Sequence, residues 1–570
     1  MAVFQGSRRR LRLLLVWTAL GAVLIGCTPS GSDDSPGADH SRAAVPAYGH
    51  TDVHPRPRSA LRQGGTLTLP IYQWPTQFNY HHVDGALDEV WTMAGLLEPR
   101  LFARDAHGTP QPDPDYLRSA TVTATSPQTV TYRLNPKARW SDGQPLGWRD
   151  FDAQWRALGR GDDRYQIADP TGYEDITEVR PGADPHEVEV VFAEPFADWQ
   201  RLFTPLYPAA AFRTPEQFNE GWRTGVPVTG GPFKVGALDA TARTLTLVPD
   251  RRWWGPRPLL DRVILRTLDP ATAVQAFLNG EVDAVNAAAA DVYDRLKDAR
   301  DTDLRTGSAW DAVQIALNGA AGPLTDPEVR RAVLHAVDRK ALAEVAGEGL
   351  PIGVPLLGNH FFMTNQPGYT DNSGPYATRD LARAERLLDR RGWRRADGTG
   401  TRTKDGRPLK LRLVLSQATN RLGLDLAQLV QRMLAEAGIE VELQKVPADD
   451  YLPKYLNQGN FDLAIFRFVG LTYPSALYPV YRQTDDKQTY ANYGRISSPR
   501  VDALLAEATH TLDEGRRLRL YQQADAAIWE LGHDVLLYQR PQVVAVREHL
   551  ANYGVPGLGD IDFTAVGWEK

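Results

Sequence analysis

One local pattern occurs twice in this chain and limits its architecture. Ala276-Phe277-Leu278-Asn279-Gly280-Glu281-Val282-Asp283 and Tyr455-Leu456-Asn457-Gln458-Gly459-Asn460-Phe461-Asp462 each read as a helix stopped by glycine, then a strand opened by an apolar residue and Asp. The copies lie roughly 180 residues apart, the span of one domain, so the pattern predicts two α/β lobes of related design. The shared aspartate reads as a turn or helix-capping carboxylate rather than a catalytic one.

Neighbouring segments agree. Leu409–Leu415 reads as a strand, Leu424–Ala437 as a helix, Gly438 as its left-handed cap and Ile439–Leu443 as a second strand, which makes a βαβ unit. It lacks the Gly-x-Gly-x-x-Gly turn of a dinucleotide site. Asp326 is a plausible N-cap with Pro327 at the first helical position, and Val329, Ala332, Val333, Ala336 and Val337 form one apolar stripe. In the preceding strand Gln314, Ala316 and Asn318 share a face with unusual hydrogen-bonding capacity, which reads as a cleft wall. The region from about 110 to 227 is strand- and turn-rich, with alternation at Thr129–Leu134 and His186–Phe192.

The N-terminus indicates export. Arg8, Arg9, Arg10 and Arg12 precede an apolar stretch from Leu13 to Gly26, too short to span a bilayer comfortably, so residues 1–26 read as a signal peptide. Leu24-Ile25-Gly26-Cys27 resembles the bacterial lipobox, with Cys27 as the lipidated residue. Cys27 is the only cysteine, which excludes an internal disulfide and a Cys-based metal cluster. Residues 27–60 are rich in Ser, Gly, Pro and Asp and read as a flexible tether, with His40, His50 and His54 as solvated linker positions. The remaining roughly 510 residues exceed one hydrophobic core. A net charge of −6 gives no reason to expect nucleic acid as partner. No Walker A motif, Gly-x-Ser-x-Gly turn or His-Glu-x-x-His pair occurs, the His81-His82 pair points apart, and the paired aspartates read as solvated. No enzyme, cofactor or metal is therefore expected.

Four motifs carry a resemblance. Trp140-Ser141-Asp142-Gly143-Gln144-Pro145-Leu146 is followed by Asp150-Phe151. Thr229-Gly230-Gly231-Pro232-Phe233-Lys234 precedes Leu247–Gly255, which ends in Trp253-Trp254-Gly255. Asn279-Gly280-Glu281-Val282-Asp283 is the third, and Asn318 through Asp338 the fourth. In this order they resemble the family 5 extracellular solute-binding proteins, the oligopeptide- and dipeptide-binding lipoproteins of ABC importers. The resemblance implies a two-lobed α/β fold of the periplasmic-binding-protein type, with an extra subdomain and a ligand cleft between the lobes. Lobe I would comprise 61–110, 228–308 and 535–570, the extra subdomain 111–227, and lobe II 309–534. Strands crossing between the lobes would act as hinges.

The same resemblance implies a lipid-anchored monomer on the extracytoplasmic face of the cell membrane. It would bind an oligopeptide or peptide-like solute and deliver it to ABC permease subunits driven by a separate ATPase. The alternative is a binding fold repurposed as a regulator or scaffold of cell-envelope glycan or glycolipid assembly. Many peptide-binding members carry an Asp in lobe II that pairs with the peptide α-ammonium. Here that position falls on Gly470 or Leu471, and a second acidic position falls near Ala316, so tight capture of a free peptide N-terminus is not expected. Expected ligand-lining residues are Tyr72, Trp74 and Tyr80 after the first strand, and Gln314 and Asn318 on the polar strand face. Arg467, Phe468 and Tyr473 join them in lobe II, with Arg467 suited to a carboxylate. His360 and Phe361, and Tyr490 and Tyr493, complete the set.

Overall fold

Both aspartates of the repeated pattern make the same pair of bonds. Asp283 Oδ2 accepts the Thr68 N–H at 2.6 Å, and the Asp283 N–H donates to the Thr68 carbonyl at 2.8 Å. Asp462 Oδ2 accepts the Arg412 N–H at 2.7 Å, and the Asp462 N–H donates to the Arg412 carbonyl at 3.2 Å. Each carboxylate fastens its incoming strand to a neighbour and satisfies a backbone amide there. That is a strand-pairing role, not the turn or capping role read from sequence. Gly280 and Gly459 have φ of +79° and +69°, left-handed values that a β-carbon disfavours.

The structure is a computed structural model describing residues 50–395, 398, 400–470, 472–484 and 491–570. The signal segment, Cys27, His40 and Tyr490 lie outside the described residues. Three sheets dominate. The first orders Thr66–Ile71, Arg262–Thr267, Thr244–Pro249 and Phe233–Asp239. The second, in the 111–227 region, orders Leu117–Thr125, Gln128–Leu134, Glu187–Phe192 and Ile176–Pro181. These two share one core that includes Leu67, Tyr132, Phe151, Phe203 and Trp222. The third has six strands: Ala284–Asn286, Asp534–Arg547, Thr302–Leu317, Leu463–Val469, Lys410–Ser416 and Glu440–Val446. Its last two strands pair in parallel across the helix Arg421–Glu436, which is the expected βαβ unit. Gly438 follows that helix at φ +82°, and the Ile439 N–H returns to the Leu434 carbonyl. The helix Pro327–Ala336 is capped by Asp326 and buries Val329, Ala332, Val333 and Ala336.

Thr302–Leu317 and Asp534–Arg547 are the longest strands and pair antiparallel along most of their length. Pairing breaks between Ser308↔Pro541 and Ala312↔Gln539, a bulge in which 309–311 face only Arg540. On one side of it, Ile315, Leu317, Val535, Leu536 and Leu537 belong to a second core with Val333, Leu413 and Val430. On the other, Val543 and Ala545 pack with Phe277, Val282 and Val285. Residues 535–538, expected in lobe I, therefore sit in the core of the 309–534 side. The second long strand changes core at Gln539–Pro541, because its first residues run alongside Ala312–Leu317.

The expected tether ends earlier than residue 60. Asp52 and Val555 exchange backbone bonds at 2.7 and 2.9 Å, and Asp52 Oδ2 accepts the Thr306 N–H at 3.1 Å. His50 Nε2 lies 3.1 Å from Thr306 Oγ1 and His54 Nε2 3.1 Å from Glu569 Oε1, so neither is a solvated linker histidine. Leu61 bridges to Glu569. What holds this segment is Arg305, fully buried, which donates to the carbonyls of Leu550 at 2.7 Å, Val53 at 3.3 Å and Tyr553, and pairs with Asp303 at 3.0 Å. Removing the guanidinium strands three carbonyls that composition alone would never connect. Arg305→Met is expected to lower stability by about 3 kcal/mol, read as an earlier urea-unfolding midpoint. An unchanged midpoint would contradict this account.

Candidate functional site

The bulge in the long strand pair opens onto a cavity of about 760 Å³. Walls come from four stretches, 80–104, 168–204, 467–476 and 540–563, and from Asn286, with Ala309, Trp310 and Asp311 of the bulge at the junction. A bulge re-aims side chains that regular pairing would bury between strands, which places Trp310 and Asp311 at this mouth. Trp310 is fixed by its indole N–H donating to the Leu558 carbonyl at 2.9 Å.

Arginine dominates the lining. Arg100, Arg104, Arg201, Arg467 and Arg540 face four aspartates, Asp88, Asp169, Asp311 and Asp560, in a chain whose net charge is −6. Asp560 Oδ1 holds Arg104 at 2.6 Å and Arg100 at 3.2 Å, and its Oδ2 accepts the Arg104 N–H at 2.8 Å. Asp311 Oδ2 likewise holds Arg540 at 2.9 Å and Arg467 at 3.2 Å. Arg201 pairs with Asp169 at 2.5 Å. Burial opposes ionisation of Asp560, but Arg104 and Arg100 outweigh it and hold its carboxyl below the usual range. Arg100, also buried, is lowered to about 10, with Asp560 opposing the drop. Its guanidinium stacks over Trp91 at 4.1 Å, and Trp91 in turn meets Tyr80 at 5.1 Å. Burial drops His81 to about 4, against the Pro205 carbonyl, so this lining imidazole is neutral at physiological pH. Among the described residues no group of three or more His, Cys, Asp or Glu gathers as a metal site.

Of the residues singled out in the sequence, Tyr80, Arg467 and Tyr473 line this cavity. Tyr72 is exposed and Trp74 packs edge-on against Phe78 at 6.0 Å, both outside the lining. Gln314 is buried within the strand, and Asn318 is taken up by the Gly459 and Phe461 carbonyls, each at 2.8 Å. Their face is no cleft wall, because Ala316 packs there with Val414, Leu456 and Phe461, and Tyr493 closes the same cluster. Phe468 and Phe361 belong to a separate core with Leu477, Tyr481 and Tyr521.

His360 is buried between two carboxylates. Its Nδ1 lies 2.5 Å from Asp525 Oδ1 and its Nε2 3.3 Å from Asp534 Oδ1, while His533 Nδ1 reaches Asp534 Oδ2 at 2.8 Å. Burial works against the imidazolium, but Asp534 and Asp525 outweigh it and raise His360 to about 9. This histidine braces the second half of the molecule instead of touching the cavity.

Sequence reading missed Trp91, Arg100, Arg104, Arg201, Trp310, Arg540 and Asp560. An isolated arginine in an aromatic-rich stretch was the available signal, since a buried guanidinium demands a partner. Gly470 lines the cavity, and its N–H donates to the Trp310 carbonyl. A β-carbon there would stand 2.1 Å from Met363 Cε and 3.0 Å from the Trp310 carbonyl oxygen, which explains why no charged side chain occupies it. Leu471 lies outside the described residues.

Comparisons with known proteins agree on one family. The model of "Bacterial extracellular solute-binding proteins, family 5 Middle" matches residues 111–491. The oligopeptide-binding protein OppA of Mycobacterium tuberculosis is 37% identical over 587 residues, covering 100% of this chain and 97% of that protein. The solved periplasmic EDTA-binding protein EppA superposes with a TM-score of 0.83 at 27% identity, covering 91% of this chain and 98% of that one. AppA of Bacillus subtilis, solved with a nonapeptide, gives 0.74 at 21% identity, covering 90% and 100%, and supports the fold alone.

Two outcomes follow from these contacts. Gly470→Ala is expected to lower the thermal midpoint, and to lower it less in a Met363→Ala background than in the native one; an equal drop in both backgrounds would mean that Met363 is not the obstacle. His360 has a folded pKa above its ordinary 6.5, so its contribution is complete below about pH 6.5 and fades as pH rises through about 9. Thermal stability should decline by on the order of 2–3 kcal/mol across that window, and His360→Gln should flatten the decline. An equally steep decline in the variant would refute the assignment.

Proposed function

The chain belongs to the bacterial extracellular solute-binding proteins of family 5, and we propose that it works as the capture subunit of an ABC importer, anchored through Cys27 outside the cytoplasm. In this reading two lobes shut over an oligopeptide or peptide-like solute, and the closed, monomeric protein delivers it to a permease pair. Binding itself needs no covalent chemistry, so the protein acts without catalysis.

The observation that carries the reading is the position of the cavity. It lies at the bulge of the two long strands, and its walls come from both sides of that bulge: Tyr80 and Arg104 on one, Arg467 and Tyr473 on the other. Among the described residues the chain passes between the two sides along this adjacent pair, at 308–312 and 539–541, so bending there opens or closes the cavity. A solute touching both walls favours the closed form, whereas one held by a single wall shifts nothing, because only differential affinity moves the equilibrium. Tyr80, Arg467 and Tyr473 are the proposed ligand contacts from the sequence-selected set. Arg467 already spans the gap, lying 3.2 Å from Asp311 and 3.7 Å from Asp88.

Native mass spectrometry of protein purified from its own host should find a co-purified solute. Small-angle scattering should then show a smaller radius of gyration with that solute than without it. An unchanged radius with a verified tight ligand sinks the hinge mechanism.

A further inference from the structure

The two sides of the cavity also meet away from the bulge. Pro195 to Asp198 belong to the side whose core holds Phe196 and, from the far end of the second long strand, Val546. Ser475, Thr509 and His510 belong to the other side. There Leu477 and Ala508 pack with Tyr521, and the helix Glu514–Leu531 carries Tyr521 on to Trp529 of the second core. Three hydrogen bonds cross between these segments. The Ser475 N–H donates to Asp198 Oδ2 at 3.0 Å, the Ala197 N–H to the Thr509 carbonyl at 2.8 Å, and His510 Nδ1 to the Pro195 carbonyl at 2.7 Å. Cavity-lining residues flank the contact, Arg201 and Thr204 on one side and Tyr473 and Ala476 on the other, but none of the six bonded residues lines the cavity itself. The arm 195–198 is held rigidly to its own sheet: buried Gln128 accepts the Phe196 N–H at 2.6 Å and donates to the Phe196 carbonyl at 3.1 Å. What it meets are helix ends. The Thr509 carbonyl lies in the last turn of Pro499–His510, where no further turn supplies a donor, and the Ser475 N–H lies at the start of the short helix Pro474–Leu477. Asp198 is 5% exposed, and among the described residues no group of its own side bonds its carboxylate, although Arg201, paired with Asp169, feels its charge.

We propose that this contact is a clasp, with Asp198 its principal positioning residue, that biases the equilibrium toward the closed form independently of what the cavity holds. This rests on the hinge reading above and identifies what regulates it. Bonds between two protein surfaces outside the lining are the same whichever solute is enclosed, so the clasp raises affinity for every solute by one factor and leaves selectivity to the cavity. Apparent affinity scales with the fraction of molecules able to adopt the binding form. When the sides part, water reaches the carboxylate and both helix ends, so opening strands no polar group. Removing the Asp198 carboxylate reverses that balance, because each closure then buries the Ser475 N–H without an acceptor.

Small-angle scattering and amide hydrogen exchange on the full-length protein, after co-purified solute has been removed, test the clasp. Asp198→Ala is expected to enlarge the radius of gyration. Asp198→Asn keeps an acceptor oxygen while removing the charge, so its radius should stay near the native one. An Asn variant as open as the Ala variant would mean that the charge beside Arg201, and not the bond to Ser475, matters, and that result overturns the proposal. His510→Ala, at an exposed position, should speed exchange of the Ser475 N–H by about tenfold, although His510 does not bond that amide. A clasp that opens as a unit requires this; a merely local role frees the Pro195 carbonyl and leaves Ser475 unmoved, which also overturns the proposal. The exchange measurement stands on its own should Asp198→Ala fail to fold. If the native radius shrinks when the co-purified solute is returned, yet neither Asp198→Ala nor His510→Ala enlarges it, the clasp falls and the hinge reading stands. A radius that responds to neither solute nor substitution sinks both.

Discussion

Everything in this molecule is organised by one antiparallel pairing, Thr302–Leu317 against Asp534–Arg547. Two hydrophobic cores are hung on its opposite ends, and its ladder is broken at the bulge at 309–311 and shifts register once more between Val313 and Gln314. A continuous ladder would make the two ends one rigid plank. A complete break would leave them as separate domains on a flexible string. The bulge lies between these limits: it keeps backbone pairing on both sides while giving up a few bonds between them. The cavity sits at that place because the same lost bonds free Trp310 and Asp311 to turn outward.

The second organising feature is how the protein tolerates five arginines in one hollow. Desolvating an isolated guanidinium is expensive, and five together would repel one another. Four aspartates meet that need, two of them serving two arginines each. Aromatic faces do the rest, with Trp91 beneath Arg100 and Trp310 beside Arg104 at 5.4 Å. Sharing is what separates this from ordinary salt-bridge structure. Asp560 and Asp311 each bridge two guanidinia, and Arg467 reaches Asp88 as well, so the pairs form a network and not a set of separate couples.

How much of this could be read from sequence depended on whether the signal was local. The βαβ unit around Gly438 and the capped helix after Asp326 declare themselves within a few turns of chain, and both stand where expected. The repeat was legible as a pair, yet its aspartates bond to Thr68 and Arg412, partners 215 and 50 residues away, which no local pattern contains. Site residues failed for the same reason. His360 stands beside Phe361 and Phe362 in an aromatic run, but Asp525 and Asp534, both distant in sequence, flank its ring. Asn318 looked free to face a ligand, but the loop at Gly459–Phe461 claims it. Arg100 and Arg104 went unnoticed because their carboxylate lies more than 450 residues on, at Asp560.

The crossing strand Asp534–Arg547 also occupies an interior place in its sheet, between Ala284–Asn286 and Thr302–Leu317, although it comes late in the chain. During synthesis and export its two neighbours must wait with bare edges for a partner hundreds of residues behind them. Assembly of this sheet is thus slow by topology and exposed to mispairing until the final stretch arrives. A product cut short before residue 534 retains the helices of the second core and the strand Thr302–Leu317, but lacks the long partner on which that strand is paired.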